Sequence, residues 1–164
     1  MNMRDSVIFL CTGNICRSPM GEGLLRHAIA GLPETSPLKR LRVVSAGTFG
    51  EDGMRASPNS VEVLKRVGID ISGHIARTLD EGMMRSCFAL FAMTRSHLDA
   101  ARREFPPDSM PPHMMTLLSL DPGARHSDVM DPYGCGIGTY VEVRDEIMAC
   151  IPHAVKFLER ELSK

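Results

Sequence analysis

The run Cys11-Thr12-Gly13-Asn14-Ile15-Cys16-Arg17-Ser18 holds a cysteine and an arginine with five residues between them. A loop of that length can curl until its backbone N–H groups converge on one anion. Arg17 adds a planar guanidinium that can grip two phosphate oxygens at once, which a lysine does less well. A helix starting where the loop ends points its positive end at the same spot. That field favours the thiolate of Cys11, the form that attacks phosphorus. Ser18 can donate a hydrogen bond to this sulfur and help it leave a phospho-enzyme. Gly13 lets the backbone approach closely, and Asn14 tolerates the left-handed conformations such loops use. Cys-x5-Arg by itself also describes a buried strand-end cysteine and a surface arginine. The surroundings favour the chemical reading: a strand before, a helix after, and Ser18-Pro19 behind. The Gly-Lys-Ser/Thr ending of a nucleotide-binding loop is missing, so ATP and GTP are not expected.

Cleaving a phosphate monoester also needs an acid for the leaving oxygen. Two Asp-Pro pairs lie late in the chain, Asp121-Pro122 and Asp131-Pro132. Proline confines the residue before it to extended conformations, which would fix either aspartate. Only Asp131 is followed by an aromatic, Tyr133, able to wall a pocket for a planar ring. Asp128 is a third candidate with no proline to hold it. Ile15 and Phe49 read as further pocket walls, with ordinary packing as their alternative. Gly134 to Gly138 is glycine-rich but follows no strand, so a flexible connection is expected there.

These residues need elements to position them. Val7 to Leu10 is a short apolar run that ends at the loop, as a buried parallel strand does. Ser18-Pro19 is expected to open and cap a helix with Met20, Leu24, Leu25, Ala28 and Ile29 on its apolar face, stopped by Gly31 and Pro33. Leu41 to Val44 reads as a second strand, closed by Ser45-Ala46-Gly47. Ser57-Pro58 opens a helix with Val61, Leu64 and Val67 inward. Cys87 to Met93 is a third strand, and Thr94 caps a helix through Arg103. Phe105 to Pro112 is a proline-rich loop, and Met114 to Leu118 a fourth strand. Asp121 to Gly138 is irregular. Tyr140 to Leu162 is helical, with Pro152 a candidate kink. Alternating strands and helices imply an α/β fold: a parallel sheet with helices on both faces, in one domain over residues 1–164. Ligands in such folds bind at the carboxyl ends of the strands, where Cys11 stands.

The chain has 164 residues, 43% hydrophobic and 24% charged, with a formal net charge of -1. That balance offers no global basic field for nucleic acid or a membrane surface, so an anionic substrate must be met by local charge. No apolar run approaches the roughly 20 residues of a membrane span, and a cytoplasmic protein is expected. The five cysteines (Cys11, Cys16, Cys87, Cys135, Cys150) are odd in number and scattered, unlike a secreted disulfide framework. None has the Cys-x2-Cys spacing of a zinc site. No metal or cofactor is expected, since Arg17 and the loop's N–H groups can do a metal's work on phosphate.

The segment from Cys11 to Pro19 resembles the signature loop of the low-molecular-weight protein-tyrosine phosphatases. The resemblance continues through Ser45-Ala46-Gly47, Gly73-His74 to Arg77, and Asp131-Pro132-Tyr133. It implies a four-stranded parallel sheet and a phosphorylated protein as substrate, on a monomer or weak dimer. It implies that Cys11 is the nucleophile, Arg17 the phosphate ligand and Asp131, rather than Asp121, the acid. It places Ser45 and His74 as hydrogen-bonding supports of Asn14 and Ser18. It also implies that Cys16 can pair reversibly with Cys11 and protect it from over-oxidation; a small apolar residue beneath the loop is the other reading of Cys16.

Substrate choice stays divided between two relatives. Bacterial protein-arginine phosphatases share the loop, and Ala92-Met93-Thr94 and Asp128 to Gly134 resemble theirs. The arginine enzymes characteristically carry a polar Thr where Ile15 stands, and an apolar wall suits an aromatic ring better. Phosphotyrosine is therefore the expected substrate and phosphoarginine the alternative. Thioredoxin-coupled arsenate reductases also resemble this loop, but they need two further cysteines a short helix apart, and only Cys87 lies in that region. A phosphoprotein-binding module without turnover would not need Cys11, Arg17 and Asp131 together.

Overall fold

β1 (Ser6–Cys11) is buried along its whole length, and its side chains divide between two faces. Val7 and Phe9 enter the core on one face, Ile8 and Leu10 the core on the other. A strand buried on both sides belongs inside a parallel sheet with helices above and below. The computed structural model, which describes residues 3–164, has this arrangement. β1 pairs in parallel with β2 (Arg42–Gly47) and with β3 (Cys87–Ala92), and β4 (His113–Thr116) extends the sheet beyond β3. The order is β2-β1-β3-β4, the four-stranded parallel sheet the sequence implies.

α1 (Arg17–Ala30), α2 (Pro58–Lys65) and α5 (Ile137–Leu162) cover the Phe9 face; α3 (Glu81–Ser86) and α4 (Arg95–Glu104) cover the Ile8 face. α1 lies very close to the sheet. A Cβ built on Gly21 would stand 2.5 Å from the Phe9 ring, so only glycine fits. Phe9 meets Phe91 edge to face at 5.7 Å. Each fully buried Leu, Ile or Phe contributes about 1.5–3 kcal/mol, against about 1 kcal/mol for a capping bond. Packing against β1 therefore decides where α1 begins, and with it the geometry of the loop between them.

Several element ends differ from the sequence expectation. Ser18 does not cap α1. The helix starts at Arg17, the N-cap position is Cys16, and no side chain caps it. The Ser18 hydroxyl is turned instead toward the sulfur of Cys11 and the amide of Asn14. Ser45-Ala46-Gly47 does not close β2 but forms its last half, because Ala46 and Gly47 pair with Leu10 and Cys11. In α2 the buried residues are Ser60, Val63 and Leu64, while Val61 is half-buried, as is Val67 just beyond the helix. β4 ends at Thr116, and Leu117–Leu120 is a 3-10 turn. α3 was not foreseen: it is six residues long, too short for a helical period to show, and is capped by Asp80. α5 begins at Ile137 and runs through Pro152 as one element. Ser57 and Thr94 cap α2 and α4 as expected. Among the described residues, no helix is long and apolar enough to cross a membrane.

Candidate active site

The carbonyl of every residue from Cys11 to Cys16 is taken by a donor outside the loop. Cys11 and Thr12 accept from the Thr48 and Phe49 N–H groups at 2.9 and 3.0 Å, and Gly13 from Glu51 N–H at 2.8 Å. Asn14 accepts from His74 Nε2 at 2.7 Å, Ile15 from Ser57 N–H at 2.7 Å and Cys16 from Ser60 Oγ at 3.1 Å. In a trans peptide the N–H points opposite to the C=O of the same plane. With the carbonyls drawn outward, the N–H groups of Thr12 to Arg17 turn toward the loop's interior. This is how an anion cradle is built without a single charged side chain.

Asn14 sits at the hub. It is fully buried and is the one non-glycine residue with positive φ among the described residues, at 61°. Its side chain stabilises that conformation with three bonds. Nδ2 donates to Ser18 Oγ at 2.8 Å and to Ser45 Oγ at 2.9 Å, and Oδ1 accepts from Arg77 N–H at 2.9 Å. Ser45 Oγ in turn donates a hydrogen bond to Glu22 Oε1 at 3.2 Å. Ser45 and His74 thus meet Asn14, the latter at the backbone oxygen, while the Ser18 hydroxyl meets Asn14 Nδ2, Cys11 Sγ and, at 3.5 Å, the carbonyl of Ala46.

Cys11 ends β1 with its sulfur 2.8 Å from Ser18 Oγ. Arg17 is buried, and its Nη1 donates to the carbonyl of Val129 at 2.9 Å. Val129 N–H in turn donates to the carbonyl of Met93, the residue after β3, at 2.8 Å. These two bonds pin the irregular segment that carries Asp131, whose Oδ2 lies 3.7 Å from Arg17 Nη2. Asp131 Oδ1 accepts from Tyr133 N–H at 3.1 Å, which leaves Oδ2 facing the arginine. Cys11, Thr12, Gly13, Ile15, Cys16, Arg17, Asp131, Phe49 and Tyr133 line one cavity of about 290 Å³. Phe49 and Tyr133 are 82% and 70% exposed, so their rings stand free at its mouth.

The family model for low molecular weight phosphotyrosine protein phosphatase matches residues 6–164. The chain belongs to this family. A protein-arginine-phosphatase from Bacillus subtilis is 34% identical over 155 residues, 94% of this chain and 97% of that one. A low molecular weight protein-tyrosine-phosphatase from Streptomyces coelicolor is 34% identical over 152 residues, covering 90% of this chain and 89% of the relative. The crystal structure of a YwlE mutant from Bacillus subtilis superposes with a TM-score of 0.80 at 33% identity, over 94% of this chain and 98% of that one. The chain is accordingly a protein phosphatase, and its fold is that of the family's solved structures.

Within this low-molecular-weight phosphatase, the other candidates fall elsewhere. Asp121 closes a turn, accepting from Gly123 N–H at 2.8 Å, and faces His153. Asp128 accepts from Arg95 N–H at 2.8 Å and so ties the Asp131 segment to the start of α4. The connection expected over Gly134 to Gly138 is shorter: Gly136 is the N-cap of α5, and Ile137 and Gly138 already lie in its first turn. Burial pushes the thiols of Cys87 and Cys150 up to about 12, and raises that of Cys16, which lies 3.4 Å from Tyr140 OH. Cys87 starts β3 and is fully buried.

Two residues of the site were not foreseen. Glu51 lines the cavity, placed there by its own N–H bond to Gly13. His97 is buried on α4 and reaches Thr12 Oγ1 with Nε2 at 2.8 Å. Its Nδ1 accepts from Thr94 N–H at 3.2 Å, so the ring proton sits on Nε2 and is donated to the threonine. Burial, then the nearby Arg17, lower the His97 pKa to about 4, so the ring is neutral at neutral pH. Thr94 followed three residues later by a polar side chain was the readable signal, since that is the spacing of a capping box.

Proposed function

We propose that this protein hydrolyses phosphotyrosine in protein substrates through a cysteinyl-phosphate on Cys11. The phosphoryl oxygens sit in the cradle of loop N–H groups, gripped by Arg17. Cys11 sulfur attacks phosphorus as the tyrosyl oxygen leaves with the proton of Asp131. The Asp131 carboxylate then takes a proton from water, whose oxygen attacks phosphorus and releases inorganic phosphate. The Ser18 hydroxyl, 2.8 Å from the sulfur, stabilises the departing thiolate. Cys16 serves as the resolving thiol: a sulfenic acid on Cys11 condenses with it and loses water. Cys16 borders the same cavity, and burial keeps it protonated until then.

The observation that carries the tyrosine reading is the wall of Ile15, Phe49 and Tyr133 around the nucleophile. Two aromatic rings and an aliphatic chain suit a planar apolar ring. The second reading, phosphoarginine, is favoured by Glu51, whose carboxylate borders the same cavity and could pair with a guanidinium. The relatives named as arginine phosphatases support it as well. The deciding assay sets phosphotyrosine and phosphoarginine peptides of one sequence side by side. We expect kcat/KM for phosphotyrosine to be higher by at least about tenfold, and Ile15→Thr to narrow the gap. Equal or reversed rates in the parent protein would sink the tyrosine reading.

A further inference from the structure

Phe49 borders a second cavity as well as the catalytic one. This neighbour has a volume of about 260 Å³ and lies between the end of β2, Thr78-Leu79 and the outer half of α4. Buried Leu79 and Ala101 line it, with Thr78, Ala100 and Phe105 beside them. Its charged neighbours are Arg103 and Glu104, one of each sign, so it offers no net charge to an ionic ligand. Nothing in the hydrolysis of the phosphoryl group uses it.

We propose that this cavity is a substrate subsite, taking an apolar side chain of the same polypeptide whose phosphorylated residue occupies the catalytic cavity. The proposal rests on the reading that protein segments are the substrate. Three observations carry it. The two cavities share one wall, the Phe49 side chain, so an occupied catalytic cavity brings the substrate chain to the edge of the second. An extended chain advances about 3.3–3.6 Å per residue, so a residue adjacent or next but one to the phosphorylated position can cross one ring. The lining is more apolar than polar and electrically balanced, which favours a leucine-like side chain over a charged one. Phe49 is 82% exposed, which leaves its ring open to contact from both sides. Its backbone is fixed by the N–H bond to Thr12 at 3.0 Å, so the divider is tied to the phosphate loop itself.

The test uses phosphopeptides in which leucine or glycine stands at each of the two positions on either side of the phosphorylated residue. At one of these positions, leucine should raise kcat/KM about tenfold, the effect of burying one such side chain, chiefly through KM. Ala100→Leu fills the cavity from α4 and should abolish that preference while leaving turnover of p-nitrophenyl phosphate unchanged. Thr78→Leu fills it from the opposite side and should do the same, which guards against a folding defect in either variant. The preference is a ratio within one phosphoresidue, so running the set on both phosphotyrosine and phosphoarginine separates this inference from the choice of substrate. No leucine preference at any position, or a preference that survives both filling variants, overturns the proposal.

Discussion

Asp131 and Arg17 stand 3.7 Å apart, and the arginine also holds the carbonyl two residues before the aspartate. In the proposed mechanism one guanidinium thus both binds phosphate and positions the acid. Asp131→Asn keeps the shape but cannot supply or take the proton, so kcat on phosphotyrosine peptides should fall about 10²–10⁴-fold. Asp121→Asn, which alters a turn and the contact with His153 away from the cavity, should leave kcat within a factor of about two; an equal fall in both would remove Asp131 from the mechanism. His97 makes a separate prediction about pH. Its pKa drops from 6.5 to about 4 on folding, chiefly by burial. The unfolded chain therefore binds more protons between those values. Stability contributed by neutral His97 is complete above pH 6.5, is lost as the pH falls, and levels off below about 4. His97→Gln preserves the capping box and removes the titration. Denaturant melts at pH 7 and pH 4.5 should converge in the variant relative to the parent; an unchanged gap would show that another group carries the acid sensitivity.

At the scale of elements, the phosphate loop is shaped from outside by the end of β2 and the segments that follow it. Gly47 pairs with Cys11, and the next residues take the carbonyls of Cys11, Thr12 and Gly13. A Cβ on Gly47 would collide with the Thr12 carbonyl oxygen and stand 3.1 Å from Asn14 N. Gly47→Ala should therefore displace the cradle and lower kcat/KM by at least about tenfold, the order seen when one oxyanion donor is lost. Gly138→Ala is the control. It lies in α5 with open space where its Cβ would go, and it should raise stability by about 0.4–1 kcal/mol without touching activity. α4 enters the site by a different route. Thr94 caps it, His97 closes the box, and the same histidine bonds Thr12.

Across the whole molecule, the site lies where the carboxyl end of β1, the start of α1 and the segment after the 3-10 turn at Leu117–Leu120 converge. An oxyanion bound there ties those regions together and should stabilise the native state. At a hundred times its Kd, tungstate should add about 2.7 kcal/mol, a rise in Tm of roughly 5–10 °C for a domain of this size. Arg17→Ala should abolish the rise; an equal shift in the variant would place the anion elsewhere.

The loop between β1 and α1, the parallel sheet and the capped helices at Ser57 and Thr94 were legible in the sequence, because each rests on neighbouring residues. A strand, a Cys-x5-Arg loop and a helix start are local patterns, and β-branched and aromatic runs mark buried strands wherever they fall. The displaced role of Ser18 was not legible. Whether its hydroxyl caps α1 or meets Cys11 depends on how closely α1 approaches β1, which Gly21 and Phe9 set by packing. Glu51 and His97 were hidden for a related reason. Glu51 reaches the cavity through a backbone bond to Gly13, and His97 reaches Thr12 across 85 residues of chain. The sequence by itself determined which groups the loop brings together, a thiol, a guanidinium and a run of backbone amides, since these are fixed by neighbouring residues. Only the tertiary structure decided which distant groups share the cavity, because contacts between remote segments follow from sheet order and helix packing rather than from any local pattern.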